Sequence, residues 1–187
     1  MRKALLGLWI LFAIGAASAA EVAGVRLEDR IKVGNTELLL NGAGIRTRIF
    51  FKVYVGALYV VQPTHEANAV INAAAPRRML LRLLRDLEAE KFSEAMHDGL
   101  NANLSAPELA ALAVPLGRLD TVFKAVGRVR EGDVLTLDFD NAGLSITLNG
   151  ESRGRIESDA LGRALLRVWL GEHPADSGLK KGLLGQS

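Results

Sequence analysis

Arg46-Thr47-Arg48-Ile49-Phe50-Phe51-Lys52-Val53-Tyr54-Val55-Gly56-Ala57-Leu58-Tyr59-Val60 is the stretch on which the fold of this chain turns. β-Branched and aromatic residues dominate it, and Pro63 stops it, so Ile49 to Val61 reads as one long central strand. Cations and phenols are set into this otherwise apolar run. At a period of two, Arg46, Arg48, Phe50, Lys52 and Tyr54 share one side, and Ile49, Phe51, Val53, Val55 and Tyr59 share the other. Two readings follow. Either the sheet has one apolar and one half-wet face, along which Arg and Lys stems lie, or the cations and phenols hold an amphipathic ligand. In the second case a guanidinium clamps an acidic oxygen, a phenol adds a hydrogen bond, and apolar walls take the tail.

Upstream, Asn41-Gly42-Ala43-Gly44-Ile45-Arg46 reads as a glycine-marked bend into the strand. Before it, Ile31 to Val33 and Glu37 to Leu40 read as short strands about the turn Val33-Gly34-Asn35-Thr36. Downstream, Met79 to Leu84 is a further strand. From Glu88 to Leu104 the period changes: Phe92, Ala95, Met96 and Leu100 fall at helical spacing, with Glu88 and Glu90 in the first turn. Ser105 and Glu108 make a capping box for a second helix, which Pro115 and Gly117 interrupt before Leu119 to Val126 resumes it. Val134 to Phe139 and Leu144 to Leu148 alternate, and Asn149-Gly150 is a hairpin signal. Ser158 caps a helix to about Leu170, and a short helix follows Asp176. Strands, helices, a meander and more helices predict an α+β domain, with helices packed on one face of an antiparallel sheet.

The 187 residues allow one domain, and the absence of Cys excludes disulfides, thiolate metal sites and a Cys nucleophile. Met1-Arg2-Lys3, an apolar run over Ala4 to Ala17 and the small residues Ala17-Ser18-Ala19-Ala20 form the three-part pattern of a signal peptide. The run is shorter than the roughly 20 residues of a membrane span. The expected organisation is therefore a signal peptide over 1–20 and one domain over 21–187, exported to a periplasm or a similar compartment, with no stable membrane anchor after cleavage. Taking Arg2 and Lys3 from the 23 basic residues leaves 21, equal to the 21 acidic ones. No basic run with interleaved aromatics remains, so nucleic acid is not an expected partner. His65, His97 and His173 lack ligand spacing, and neither a phosphate loop nor a GxSxG elbow is present, so no metal, cofactor or confident catalytic residue is expected.

Gly42-Ala43-Gly44-Ile45-Arg46 with Lys52 to Tyr59, then Glu90-Lys91-Phe92-Ser93-Glu94-Ala95, then Leu170-Gly171-Glu172-His173 with Leu179-Lys180, together resemble the chalcone isomerase fold family in the expected order. The signal peptide and short loops look most like its exported bacterial branch. The resemblance implies an open-faced β-sandwich. Plant chalcone isomerases hold the reacting oxygens with an Arg, a Thr, a Lys, a Tyr and further polar residues. Arg46 matches the Arg and Tyr54 stands at the Thr. Phe92 stands at the catalytic Tyr, Leu83 at the Lys, Gly99 at a polar helix position and Val168 at a hydroxyl residue. An anion-binding cation is kept while the polar network turns apolar. Cyclisation needs charge stabilisation specific to the transition state, so the pattern suits a binder better than an isomerase. Fatty-acid-binding proteins are known in the family. The resemblance therefore implies a small amphipathic acid, such as a fatty acid, held by Arg46 and Tyr54, with Tyr59 as the alternative phenol. An isomerase or lyase acting on another enone, and a ligand-free interaction protein with a structural Arg46, are the alternatives.

Overall fold

A computed structural model describes residues 19–186. The signal-peptide reading concerns residues that lie almost wholly outside that range; Ala19 and Ala20, at the expected cleavage point, open the first strand. In chain order the elements are β1 (Ala19–Val22), β2 (Val25–Glu28), β3 (Arg30–Val33), β4 (Thr36–Arg48), β5 (Phe51–Val60), α1 (Ala67–Asn72), β6 (Arg77–Leu83) and β7 (Leu87–Glu88). They continue with α2 (Ala89–Asn103), α3 (Ala106–Ala111), α4 (Ala113–Val126), β8 (Arg128–Val129), β9 (Val134–Asp140), β10 (Gly143–Leu148), β11 (Glu151–Ile156), α5 (Asp159–Leu170) and α6 (Ser177–Leu183). Seven strands form one antiparallel sheet in the order β11-β10-β9-β6-β5-β4-β3.

Alternation decides what each face meets. On β6, Met79, Leu81 and Leu83 are buried, as are Leu135, Leu137 and Phe139 on β9 and Leu144 and Ile146 on β10. These join one core with Phe92 and Met96 of α2, Leu119 and Phe123 of α4, and Leu165 and Trp169 of α5. The opposite face carries a second, smaller core of Leu38, Val55, Ala57 and Tyr59 with Leu27 from the β1–β2 hairpin, which covers part of that face. The architecture is thus α+β, as the patterning predicts, with helices on one face only.

Three local features differ from the sequence reading. Asn41 to Arg46 is not a connection into a new strand: it lies within β4, with a register irregularity at Leu40/Gly42. Its glycines are there because α6 lies directly on the strand; a Cβ on Gly44 would stand 3.2 Å from the Leu179 Cα. The central strand expected over Ile49 to Val61 starts only at Phe51, as β5; Ile49-Phe50 is a turn that folds it back on β4, so that Arg46 pairs with Tyr54 and Arg48 with Phe51. Finally, the second helix breaks at Leu112 rather than at Pro115, because Pro115 is the third residue of α4, where its missing N–H has no helical partner to lose.

The caps expected at Ser105 and Ser158 hold, and Asp176 adds a third. Ser105 and Glu108 form the reciprocal box, Ser158 Oγ accepts from the Leu161 N–H, and Asp176 accepts from the Leu179 N–H. Asn149 and Gly150 both take positive φ, 53° and 82°, as a two-residue hairpin turn of type I′ requires.

Candidate functional site

The β4–β5 hairpin sets Arg46 and Tyr54 side by side on the helix-bearing face, and β6 adds Leu83 next to Tyr54 in the same row. Sequence reasoning placed Arg46 and Tyr54 on one face by counting along a single strand; the structure brings them together as cross-strand partners instead. A register irregularity between Arg46 and Thr47 turns the end of β4 toward the α5–α6 connection. There the Arg46 guanidinium donates to the Ala175 carbonyl oxygen and lies 3.8 Å from the Asp176 carboxylate. The same carboxylate accepts the Thr47 N–H at 3.0 Å and caps α6. Arg46 keeps 22% of its side-chain surface in contact with solvent, so it stands at the mouth of the site.

Tyr54 lies deeper and is buried. Its hydroxyl oxygen accepts the Trp169 Nε1–H at 2.9 Å, and its own proton has no acceptor among the described residues. Burial pushes the phenol up to about 12, against a downward pull from the Trp169 bond and from Arg46. It is thus a neutral hydrogen-bond donor at any ordinary pH, next to a permanent cation.

Tyr59 is not part of this arrangement. Five residues along β5, it faces the other side of the sheet, where burial and then the nearby Glu28 push its phenol up to about 12. It lines a groove of about 940 Å³ between the β1–β2 hairpin and the sheet, with Leu27, Ile31, Arg78, Leu80 and Arg82. Arg78 is already held there, donating to Asp138 at 2.5 and 2.6 Å.

These are the two tyrosines of the whole chain, so alkaline titration reads them alone. Both have folded pKa values raised above the ordinary 10, so their contribution to stability is complete below pH 10 and is lost as pH climbs toward 12. Native protein is expected to show almost no phenolate absorbance at pH 10.5, where the phenols of unfolded chain are about three-quarters ionised. Substantial phenolate at that pH in folded protein would contradict the burial of one or both rings.

The positions Leu83, Phe92, Gly99 and Val168, which the resemblance sets at polar residues, are packed here. Phe92 meets Phe123 edge-on with centroids 5.1 Å apart. A Cβ on Gly99 would come within 2.6 Å of Val168 Cγ1, so a larger side chain at 99 requires Val168 to change. The space between Leu83, Phe92, Phe123 and Leu135 is about 10 Å³, too little for an acyl chain in this conformation.

One polar cluster escaped sequence reasoning. Ser93 donates to Asp120 Oδ1 at 2.6 Å, and His97 Nε2 lies 2.8 Å from the same oxygen. Ser93 and His97 are four apart on α2, which could have flagged a shared face, but nothing local points to Asp120 on α4. Both side chains are tied to one carboxylate, so His97 is not placed as a base toward Ser93. Burial acts to raise the Asp120 carboxyl, and the Ser93 and His97 bonds outweigh it, leaving it below its ordinary value. Among the described residues no three of His, Asp and Glu gather into a metal-holding group.

A sequence profile described as chalcone isomerase-like matches residues 19–185. Among solved structures, the chain is similar to a fatty-acid binding protein of Arabidopsis thaliana, at 16% identity and a TM-score of 0.72, over 89% of this chain and 96% of that one. At that identity the likeness is one of fold. A sequence search of curated proteins finds no match.

Proposed function

The chain belongs to the chalcone isomerase-like family, and from that premise we propose that it is an exported, non-catalytic binding protein for a small amphipathic acid such as a fatty acid. The observation that carries the reading is the pair at the mouth of the helix-side core: Arg46, whose nearest carboxylate is a loose 3.8 Å away, beside Tyr54, a buried donor with a free proton. A ligand carboxylate at this point takes a charge-assisted bond from Arg46 and a second from Tyr54. The fold shared with a fatty-acid binding protein supports the same ligand class. Leu83, Phe92 and Val168 supply no proton to move, which argues against lyase chemistry. The tail has to part α2 from the sheet. Each methylene that it buries contributes about 0.8 kcal/mol, so affinity is expected to climb with chain length. Export rests on the charged, apolar and small-residue pattern of residues 1–20.

A second placement of the same ligand is favoured by volume. The groove at Tyr59 falls within the usual 300–1,000 Å³ of small-molecule sites, and Leu80 floors it. One experiment separates the two. The protein is purified from its own exported fraction, its intact mass and bound small molecules are measured by native mass spectrometry, and fatty-acid affinity is then titrated. Arg46→Ala is expected to weaken binding roughly 10- to 150-fold, the worth of a hydrogen bond to a charged group, while Leu80→Trp leaves it unchanged. The reverse pattern moves the ligand to the groove. A protein that carries no acid and ignores added fatty acids overturns the reading, and a protein found only in the unexported fraction, with residues 1–19 retained, overturns export.

A further inference from the structure

The turn between β4 and β5 exposes Ile49, Phe50 and Phe51 to 78%, 91% and 59%. Three consecutive large apolar side chains in water are costly, and their backbone adds to the anomaly. Ile49 holds φ at +59°, in a two-residue turn where Gly or Asn normally stands. A β-branched residue at positive φ is a true outlier, of the kind that collects at functional surfaces. The surroundings are cationic. Arg48, Lys52 and Arg85 are exposed, and none has an ion-pair partner among the described residues. Arg85 stacks over the Phe51 ring at 4.8 Å. Of the carboxylates on neighbouring elements, Glu94 is paired with Lys91, Glu88 with Arg128, and Asp86 accepts the Glu131 N–H; Glu90 is solvent-facing.

We propose that this hairpin tip docks the protein reversibly on an anionic phospholipid surface. A convex tip of three side chains cannot supply the roughly 800 Å² that each partner contributes to a specific protein interface. A bilayer interface asks for less: a few aromatic and aliphatic groups inserted among the headgroups, and cations level with the phosphates. No helix among the described residues is long and apolar enough to cross a membrane, and the attachment proposed for the tip is a peripheral one. Arg46 lies three residues from Ile49, which brings the mouth of the candidate site down to the headgroup layer. The docking does not depend on the ligand reading.

The test is co-sedimentation of the protein, as isolated from cells, with vesicles of phosphatidylcholine alone or mixed with phosphatidylglycerol. Wild type is expected to bind the anionic vesicles, and less so at high salt. Ile49→Asn/Phe50→Ser is expected to bind at least about tenfold more weakly, with thermal stability equal or raised because Asn tolerates the turn. Lys52→Glu is expected to lose about fivefold. Ile49→Asn/Phe50→Ser should bind added fatty acid in solution as wild type does, which keeps this proposal separate from the ligand site. In Phe50→Trp protein, emission should shift to the blue only with anionic vesicles. Equal sedimentation of wild type and the double tip variant overturns the proposal. So does a wild type that ignores vesicles while forming a tip-dependent dimer in ultracentrifugation, which would make the tip a protein surface.

Discussion

Gly42→Val is expected to cost at least about 3 kcal/mol, seen as a large drop in the urea midpoint, and in many backgrounds to leave no folded protein. A Cβ at position 42 would overlap the Gly182 carbonyl oxygen and stand 2.9 Å from both Leu183 O and Gly185 N. All three are main-chain atoms, so no side chain can rotate away. The converse contact is equally close: a Cβ on Gly182 would overlap the Ala43 carbonyl oxygen. Strand β4 and helix α6 therefore meet backbone to backbone. If α6 lifts, Leu179 and Leu183 leave the core, and Asn41 Nδ2 loses its 2.7 Å bond to Leu183 O. The Asp176 link to Thr47 and Arg46 goes with them. Gly117 is the control: it lies within α4 with nothing within 4 Å of an added Cβ. Gly117→Ala should stabilise by roughly 0.5–1 kcal/mol. A Gly42→Val protein that unfolds at the wild-type midpoint would rule out the close approach.

The same glycines explain where sequence reading stops. Glycine serves turns and close approaches alike, and Gly42-Ala43-Gly44 looks like a bend until Gly182 is known to lie against it. The information sits about 140 residues away. The Ile49-Phe50 turn is concealed for the opposite reason: both residues favour strands, so a continuous strand is the natural reading of a place where the chain reverses. Where the signal is local, it was legible. The caps at Ser105 and Ser158, the Asn149-Gly150 hairpin and the alternation of β9 and β10 stand where they were expected. Of the site, the Arg46–Tyr54 pair was legible and Tyr59 already fell on the opposite side by parity. The filling of the space behind them by Phe92, Phe123 and Trp169 was not, since it depends on how α2, α4 and α5 pack together.

Trp169→Ala carries the second large effect, an expected loss of about 3–5 kcal/mol. The indole is 1% exposed on α5 and packed within the helix-side core, so its removal leaves a large cavity. The change also strips Tyr54 of the one hydrogen bond that its hydroxyl makes among the described residues. Trp169→Phe separates the two losses. It keeps most of the apolar volume and removes only the N–H, for an expected 1–2 kcal/mol. Because the Trp169 bond pulls the Tyr54 phenol down, its loss should move phenolate formation at Tyr54 still higher, which alkaline titration reads directly. The ligand consequence follows from orientation. Trp169 occupies one lone pair of the Tyr54 oxygen as donor, which leaves the phenolic proton for another acceptor. Fatty-acid affinity in Trp169→Phe should therefore fall several-fold if the carboxylate sits between Arg46 and Tyr54. If it is instead unchanged while stability drops as expected, Tyr54 is a core residue that happens to neighbour a cation, and the groove at Tyr59 becomes the better address for the acid.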